Sequence, residues 1–201
     1  GILYNVEDIK EMLDGKIDTL HFDEAWLPHA AFHEFYGDYH AIDSDRPRCS
    51  ESLIFSTQST HKLLAGLSQA SQILVQDALM NKLDKELFNE SYLMHTSTSP
   101  QYSIIASCDV AAAMMEAPGG TALVEESILE SLDFRRAMRK VDDEWGQDWW
   151  FKVWGPKNLS EEGLENRDAW ILKQNEKWHG FGKLSKNFNM LDPIKSTIIT
   201  P

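Results

Sequence analysis

The chain has 201 residues, 42% hydrophobic and 25% charged, a balance that supports a buried core and excludes disorder, collagen and coiled coil. Its 19 Lys and Arg against 32 Asp and Glu give a formal net charge of −13, so its electrostatics favour neither a nucleic-acid backbone nor an anionic membrane. Two cysteines, Cys49 and Cys108, stand in no metal-type spacing and read as free thiols, and no window approaches the roughly 18 apolar residues of a membrane span.

Apolar side chains at Val6, Ile9, Met12 and Leu13 have a helical spacing that Asp14-Gly15 closes, so the chain is expected to open directly on a short helix. Ile17 to Asp23 alternates apolar and polar, which predicts a strand delivering Asp23-Glu24-Ala25-Trp26 at its carboxyl end. From Leu27 to Pro47 the aromatic, His-rich text with Pro28, Gly37 and Pro47 reads as an irregular loop with one helical turn. Leu53 to Thr57 is the next strand and runs into Gln58-Ser59-Thr60-His61-Lys62; Ser71 to Gln76 is another, followed by a short helix around Asp84 to Asn89. Ser99-Pro100 opens a buried helix to Glu116, and Thr121 to Glu144 is a longer one, amphipathic through Leu123, Val124, Ile128, Leu132, Phe134, Met138 and Val141. After Gly146 the character changes: Trp149 to Trp154 predicts a strand, a polar loop follows to about Asn175, and a domain change is expected here. Ile198-Ile199-Thr200-Pro201 reads as a strand entering an uncompleted turn, and the abrupt ends suggest a chain cut from something longer.

Two groups of residues have the chemistry of a site. Ser59-Thr60-His61-Lys62 packs hydroxyls, an imidazole and an amine into four positions past an apolar strand; a desolvated lysine there can form a Schiff base, though the same tetrapeptide also fits a solvated loop. Asp23 ends the preceding strand, and adjacent strand ends of an α/β sheet open onto one crevice. A carboxylate beside such a lysine suits pyridoxal phosphate, whose ring nitrogen needs an acid and whose aldehyde needs an amine; Asp23 equally suits a helix cap. His29 and His33 have a zinc-compatible spacing, but Pro28 and the missing third ligand argue for no metal. Trp149, Trp150 and Trp154 read as core and subunit contact rather than a stacking platform.

The stretches His21-Phe22-Asp23-Glu24-Ala25-Trp26, Thr57 to Leu64, Phe88-Asn89-Glu90, Met94-His95-Thr96-Ser97-Thr98-Ser99-Pro100, Trp178-His179-Gly180-Phe181 and Leu191-Asp192-Pro193-Ile194-Lys195 resemble the bacterial lysine/arginine/ornithine decarboxylases, and the resemblance covers essentially the whole chain. It implies the three-layer α/β aspartate-aminotransferase fold (fold type I), with residues 1–146 as the second half of the pyridoxal-phosphate large domain and 147–201 as the start of a smaller α+β domain. It further implies that Lys62 holds pyridoxal 5'-phosphate as a Schiff base, Asp23 pairs with its ring nitrogen, Ala25 packs on the ring and Trp26 walls the pocket. Ser59 and His61 would contact the phosphate or line the linkage, and Ser97 and Thr98 would reach the phosphate of a neighbouring subunit. The expected protein is then a lyase of polyamine metabolism, a homodimer with a shared active site and scope for higher assembly, binding neither nucleic acid nor membrane. Each turnover would release CO2 and an amine and consume one proton.

In the family, the group that stacks on the ring and the loop that grips the phosphate come from residues preceding Gly1, which fits a fragment better than a degenerate relative. Asp133 to Met138 and Met190 to Lys195 look more like the lysine- and arginine-acting members, with lysine first, arginine close behind and ornithine third. The start, Gly1-Ile2-Leu3-Tyr4-Asn5, has no signal-peptide pattern, which points to the cytoplasm. A non-catalytic assembly or regulatory relative, and a transaminase or aldolase on the same cofactor, remain open alternatives.

Overall fold

Leu20, Phe22 and Ile54 place their side chains on one face of two neighbouring strands, and helix α1 (Val6–Leu13) lays Val6, Ile9 and Leu13 against that face with Ala41, Ile42 and Cys49. This is the core of one of two compact units, Val6–Thr121; the other comprises Gly1–Asn5 and residues 122 onward. The computed structural model describes residues 1–200, apart from the side chains of Ser160 and Glu162.

The unit Val6–Thr121 follows the expected order. A three-residue strand, β1 (Ile2–Tyr4), precedes α1, so the chain does not open directly on the helix. Glu7 and Asp8 favour the α1 N-terminus through the helix dipole, and Gly15 at φ +72° supplies the left-handed residue just past its end. The strand β2 (Thr19–Asp23) pairs in parallel with β3 (Leu53–Gln58), Leu20 opposite Ile54 and Asp23 opposite Thr57. β3 pairs antiparallel with β4 (Gln72–Gln76), giving the order β2-β3-β4. Between β2 and β3 the expected irregular segment contains two short 3-10 turns, Ala30–Phe32 and Glu34–Tyr36. A four-residue helix, α2 (Thr60–Leu63), follows β3 immediately.

The helix α3 (Lys85–His95) runs a turn and a half beyond the expected Asn89, capped by Asp84, whose Oδ1 accepts the Glu86 and Leu87 N–H groups at 3.1 and 3.0 Å. Helix α4 (Tyr102–Met115) corrects the expectation of a buried helix: only Ala111 and Met115 are buried, whereas Tyr102, Ile105, Val110 and Met114 are exposed. Its sequence is apolar on every side, so composition alone could not say that a single narrow stripe, four residues apart, would pack inward.

Asp14 fixes the entry to β3. Its Oδ1 accepts the N–H groups of Glu51 and Ser52, both at 2.9 Å, and its Oδ2 that of Ser50 at 2.7 Å. Burial would raise this carboxyl, but the three N–H groups outweigh it and hold it below the usual carboxylate range. A depressed folded pKa contributes stability above the unfolded value that is lost as pH falls through the folded one. Asp14→Asn is therefore expected to lower the melting temperature at neutral pH, with the gap from wild type closing below about pH 4; thermal melts across that range check it, and a pH-independent gap would refute it.

In the second unit β1 pairs antiparallel with β6 (Asn189–Leu191), and β5 (Lys152–Val153) with β7 (Ile198–Ile199). The expected turn after β7 extends to Pro201, outside the described residues. Helix α5 (Gly119–Trp145) buries Val124, Ile128, Leu132 and Arg135 along one face, while Leu123 and Phe134, expected inside, are exposed. Arg135 is 2% exposed and donates to the Lys195 carbonyl at 3.2 Å beside the Trp170 ring. Burial, with the nearby Arg139 cation, pulls its guanidinium down to about 10 against the opposing pull of Asp192. The expected strand over Trp149 to Trp154 shrinks to β5 because its partner β7 has only two residues; of the three tryptophans read as core and subunit contact, Trp149 and Trp154 are half-buried and Trp150 is exposed. The expected polar loop contains a short helix, α6 (Leu159–Glu162), and a 3-10 turn that buries Trp170 completely.

Candidate active site

The parallel pairing of β2 and β3 brings their carboxyl ends side by side, as expected of adjacent strands in an α/β sheet. Alternation along β2 sets Leu20, Phe22 and then Glu24 toward the interior, and leaves His21 and Asp23 on the opposite face. Asp23 is exposed, and its Oδ1 accepts the Ala25 N–H at 3.1 Å, which turns the chain toward Trp26. On the same face, His21 Nε2 and Thr57 Oγ1 are hydrogen-bonded at 2.5 Å.

From the end of β3 the chain passes through Ser59 into α2. Ser59 stands at the N-cap but its side chain caps no backbone N–H, which leaves its hydroxyl free of that duty. His61 sends both its backbone N–H (3.1 Å) and its ring Nδ1 (2.8 Å) to the Ala70 carbonyl. Nδ1 is thus the protonated nitrogen when the ring is neutral, and Nε2 then carries the lone pair. The loop that brings Ala70 back needs Gly66, where a Cβ would meet Ala70 Cβ at 3.0 Å and Thr60 Cγ2 at 3.1 Å. Lys62 Nζ lies 4.7 Å from the centroid of the Trp26 ring, so the amine of α2 meets the residue three positions past Asp23.

The structure therefore gathers Asp23, Ala25, Trp26, Ser59, His61 and Lys62 on two adjacent strand ends and the turns that leave them. Ser97 and Thr98 lie elsewhere, in the bend between α3 and α4, where Ser97 Oγ accepts the Ser99 N–H at 3.1 Å. Of the two histidines with zinc-compatible spacing, His33 already engages Nδ1 as acceptor of the Phe35 N–H, and His29 packs edge-on against Tyr36 with centroids 5.0 Å apart. Among the described residues no three His, Cys, Asp or Glu side chains cluster as metal ligands, and no helix is long and apolar enough to cross a membrane.

Sequence reasoning missed Glu24. Its side chain is 5% exposed; Oε1 accepts the Ala41 N–H at 2.6 Å, and Oε2 accepts from Ser56 Oγ and from Gln58 Nε2, the latter at 3.2 Å. Gln58 Oε1 in turn accepts from Gln72 Nε2 of β4 at 2.9 Å. The signal was in the alternation: the inward positions of β2 run Leu20, Phe22, Glu24 and those of β3 run Ile54, Ser56, Gln58, so both rows turn polar at the same end.

Over residues 1–201 the chain matches the family described as Orn/Lys/Arg decarboxylase, major domain. It is 48% identical to the lysine decarboxylase LdcA of Pseudomonas aeruginosa, across all of this chain and 27% of that protein. With the biodegradative arginine decarboxylase of Escherichia coli it shares 37% identity, across all of this chain and 29% of the relative. The crystal structure of the Francisella novicida lysine decarboxylase LdcF superposes with a TM-score of 0.86 at 45% identity, covering all of this chain and 26% of that one. The chain thus spans little more than a quarter of the length of the proteins it matches. A match that runs from the first residue to the last, with a mixed α/β structure that superposes on a solved lysine decarboxylase, means that this chain belongs to the ornithine/lysine/arginine decarboxylase family, within its major domain.

Proposed function

We propose that this chain is part of a pyridoxal-phosphate-dependent decarboxylase of basic amino acids, with lysine the first substrate and arginine the second. The observation that carries the reading is the junction of the two strand ends: Lys62 Nζ, on the helix that follows β3, lies against the ring of Trp26, in the turn that follows Asp23 at the end of the paired strand β2. The residues there fit the cofactor. They offer one amine, one outward carboxylate, a small Ala25 beside an aromatic ring, a hydroxyl at Ser59 unused as a cap, and an imidazole oriented by Ala70.

In this reading Lys62 Nζ would hold the cofactor's aldehyde carbon, Asp23 would pair with the ring nitrogen and keep it protonated, Ser59 would donate to the phosphate, and His61, its Nδ1–H taken by the Ala70 carbonyl, would line the linkage. Bound there, pyridoxal phosphate supplies an electron sink for the pair left when the substrate's carboxylate departs. Trp26 shields Lys62 Nζ from water on one side, and Asp23, tied through the Ala25 N–H, would present its carboxylate to the ring nitrogen with little reorganisation. Ser97 and Thr98, in the bend between α3 and α4, act on a second subunit of a homodimer. All 201 residues fall in the family's major domain, and we propose residues 1–146 as the later half of its cofactor-binding part and 147–201 as the start of a smaller α+β part. The preference for lysine over arginine is supported by 48% against 37% identity to relatives so named.

The test is product analysis of the full-length protein given lysine, arginine and ornithine in turn. CO2 with cadaverine from lysine as the fastest reaction is expected. A keto acid in place of CO2 would move the protein to the transaminases, and turnover of none of the three would overturn the reading.

A further inference from the structure

We infer that Glu24 is a positioning residue that locks the Asp23 and Lys62 halves of the site to each other, an inference that rests on the proposed function. Glu24 sits one residue past Asp23 and points the other way, into the protein, so whatever holds Glu24 sets the direction in which Asp23 faces. Its three donors come from three separate places: the peptide of Ala41, the Ser56 hydroxyl on β3, and the Gln58 amide at the last residue of β3, one step before Ser59 and four before Lys62. A single buried carboxylate thereby grips both strand ends at the points where each delivers its reactive group.

The grip extends in two directions. Gln58 is held from behind by Gln72 of β4 at 2.9 Å. The Ala41 peptide that donates to Glu24 also offers its carbonyl to Lys10 Nζ at 3.3 Å, and buried Lys10 pairs with Glu7 at 2.5 Å. Glu24 is thus anchored to α1 and to the full width of the three-stranded sheet. Its backbone N–H adds a bond to the Thr57 carbonyl at 2.9 Å, so main chain and side chain of one residue both cross from β2 to β3. A core position this close to the reactive groups would ordinarily be apolar; a carboxylate with three directed acceptor bonds fixes orientation in a way that an apolar side chain cannot. The contact that depends on this registration is Trp26 over Lys62 Nζ, since Trp26 hangs on the turn that leaves Glu24 and Lys62 on the helix that follows Gln58.

The experiment compares wild type, Glu24→Gln and Glu24→Leu in the full-length protein. Without cofactor, the rate of reductive methylation of Lys62 is measured against that of exposed Lys140 by peptide mass mapping. Glu24→Leu is expected to raise the Lys62/Lys140 ratio about threefold, as one shielding cation–π contact is lost, while Glu24→Gln, whose amide can accept from Ala41 and donate to the Ser56 hydroxyl but meets the Gln58 amide donor to donor, falls between wild type and Glu24→Leu. With pyridoxal phosphate, Glu24→Leu is expected to weaken cofactor binding about tenfold at temperatures well below its melting point, the scale of a small misplacement of reacting groups. A folded Glu24→Leu protein with unchanged ratio and affinity would overturn the inference. Should Glu24→Leu fail to fold, Ser56→Ala removes one of the three donors and must move both readouts the same way by a smaller amount; no movement overturns the inference equally. If the wild type itself binds no pyridoxal phosphate, the proposed function fails, and the methylation ratio still decides whether Glu24 places Lys62.

Discussion

Lys62→Ala in the full-length protein is expected to abolish the visible absorption of bound pyridoxal phosphate and to lower kcat about a thousandfold or more, because the amine that captures the cofactor is removed outright. The effect on folding should be slight. Lys62 contributes a contact with a Trp26 ring that is 58% exposed, and such an exposed cation–π pair is worth about 0.5–1 kcal/mol. A melting temperature within a few degrees of wild type, together with lost absorption, separates chemistry from stability. Retained absorption would show that another lysine holds the cofactor and would remove Lys62 from the site.

Asp23→Asn is expected to keep the cofactor attached but reduce kcat about a hundredfold, since the amide keeps the side-chain oxygen that accepts the Ala25 N–H while losing the charge that protonates the ring nitrogen. The fold survives because the side chain is exposed and the bond that closes that turn can be met by an amide. Asp23→Ala should lose the turn as well and fall further. Steady-state kinetics with absorption spectra check both variants. Near-normal turnover of Asp23→Asn would refute the role assigned to this carboxylate.

The strands of the Asp23–Lys62 junction were legible because period-two alternation is a local property: β2, β3 and β4 stand where Leu20 with Phe22, Ile54 and the Ser71 to Gln76 run predict them. Helix α1 was equally clear from Val6, Ile9 and Leu13. What the sequence concealed was tertiary. The apolar run of α4 announces a helix but not that Tyr102 and Ile105 would face outward, since burial depends on what lies opposite. Glu24, one more acid among 32, becomes conspicuous only when Ser56, Gln58 and the Ala41 peptide converge on it from 17 to 34 residues away. The amine and the outward carboxylate were readable as chemistry, and the buried carboxylate that aligns them was not.

Gln58 also has a kinetic consequence. It bonds to Gln72, 14 residues ahead, and to Glu24, 34 residues behind. Closing the longer span costs about 0.8 kcal/mol more chain entropy than the shorter one, before the stiffness of the 3-10 turns between β2 and β3 is counted. Local antiparallel pairing is therefore expected to precede the parallel one as the chain folds. In that order the end of the sheet that carries Lys62 would be set before Asp23 arrives, and the closing of Glu24 on Ser56 and Gln58 would be the step at which the two halves first face a common ligand.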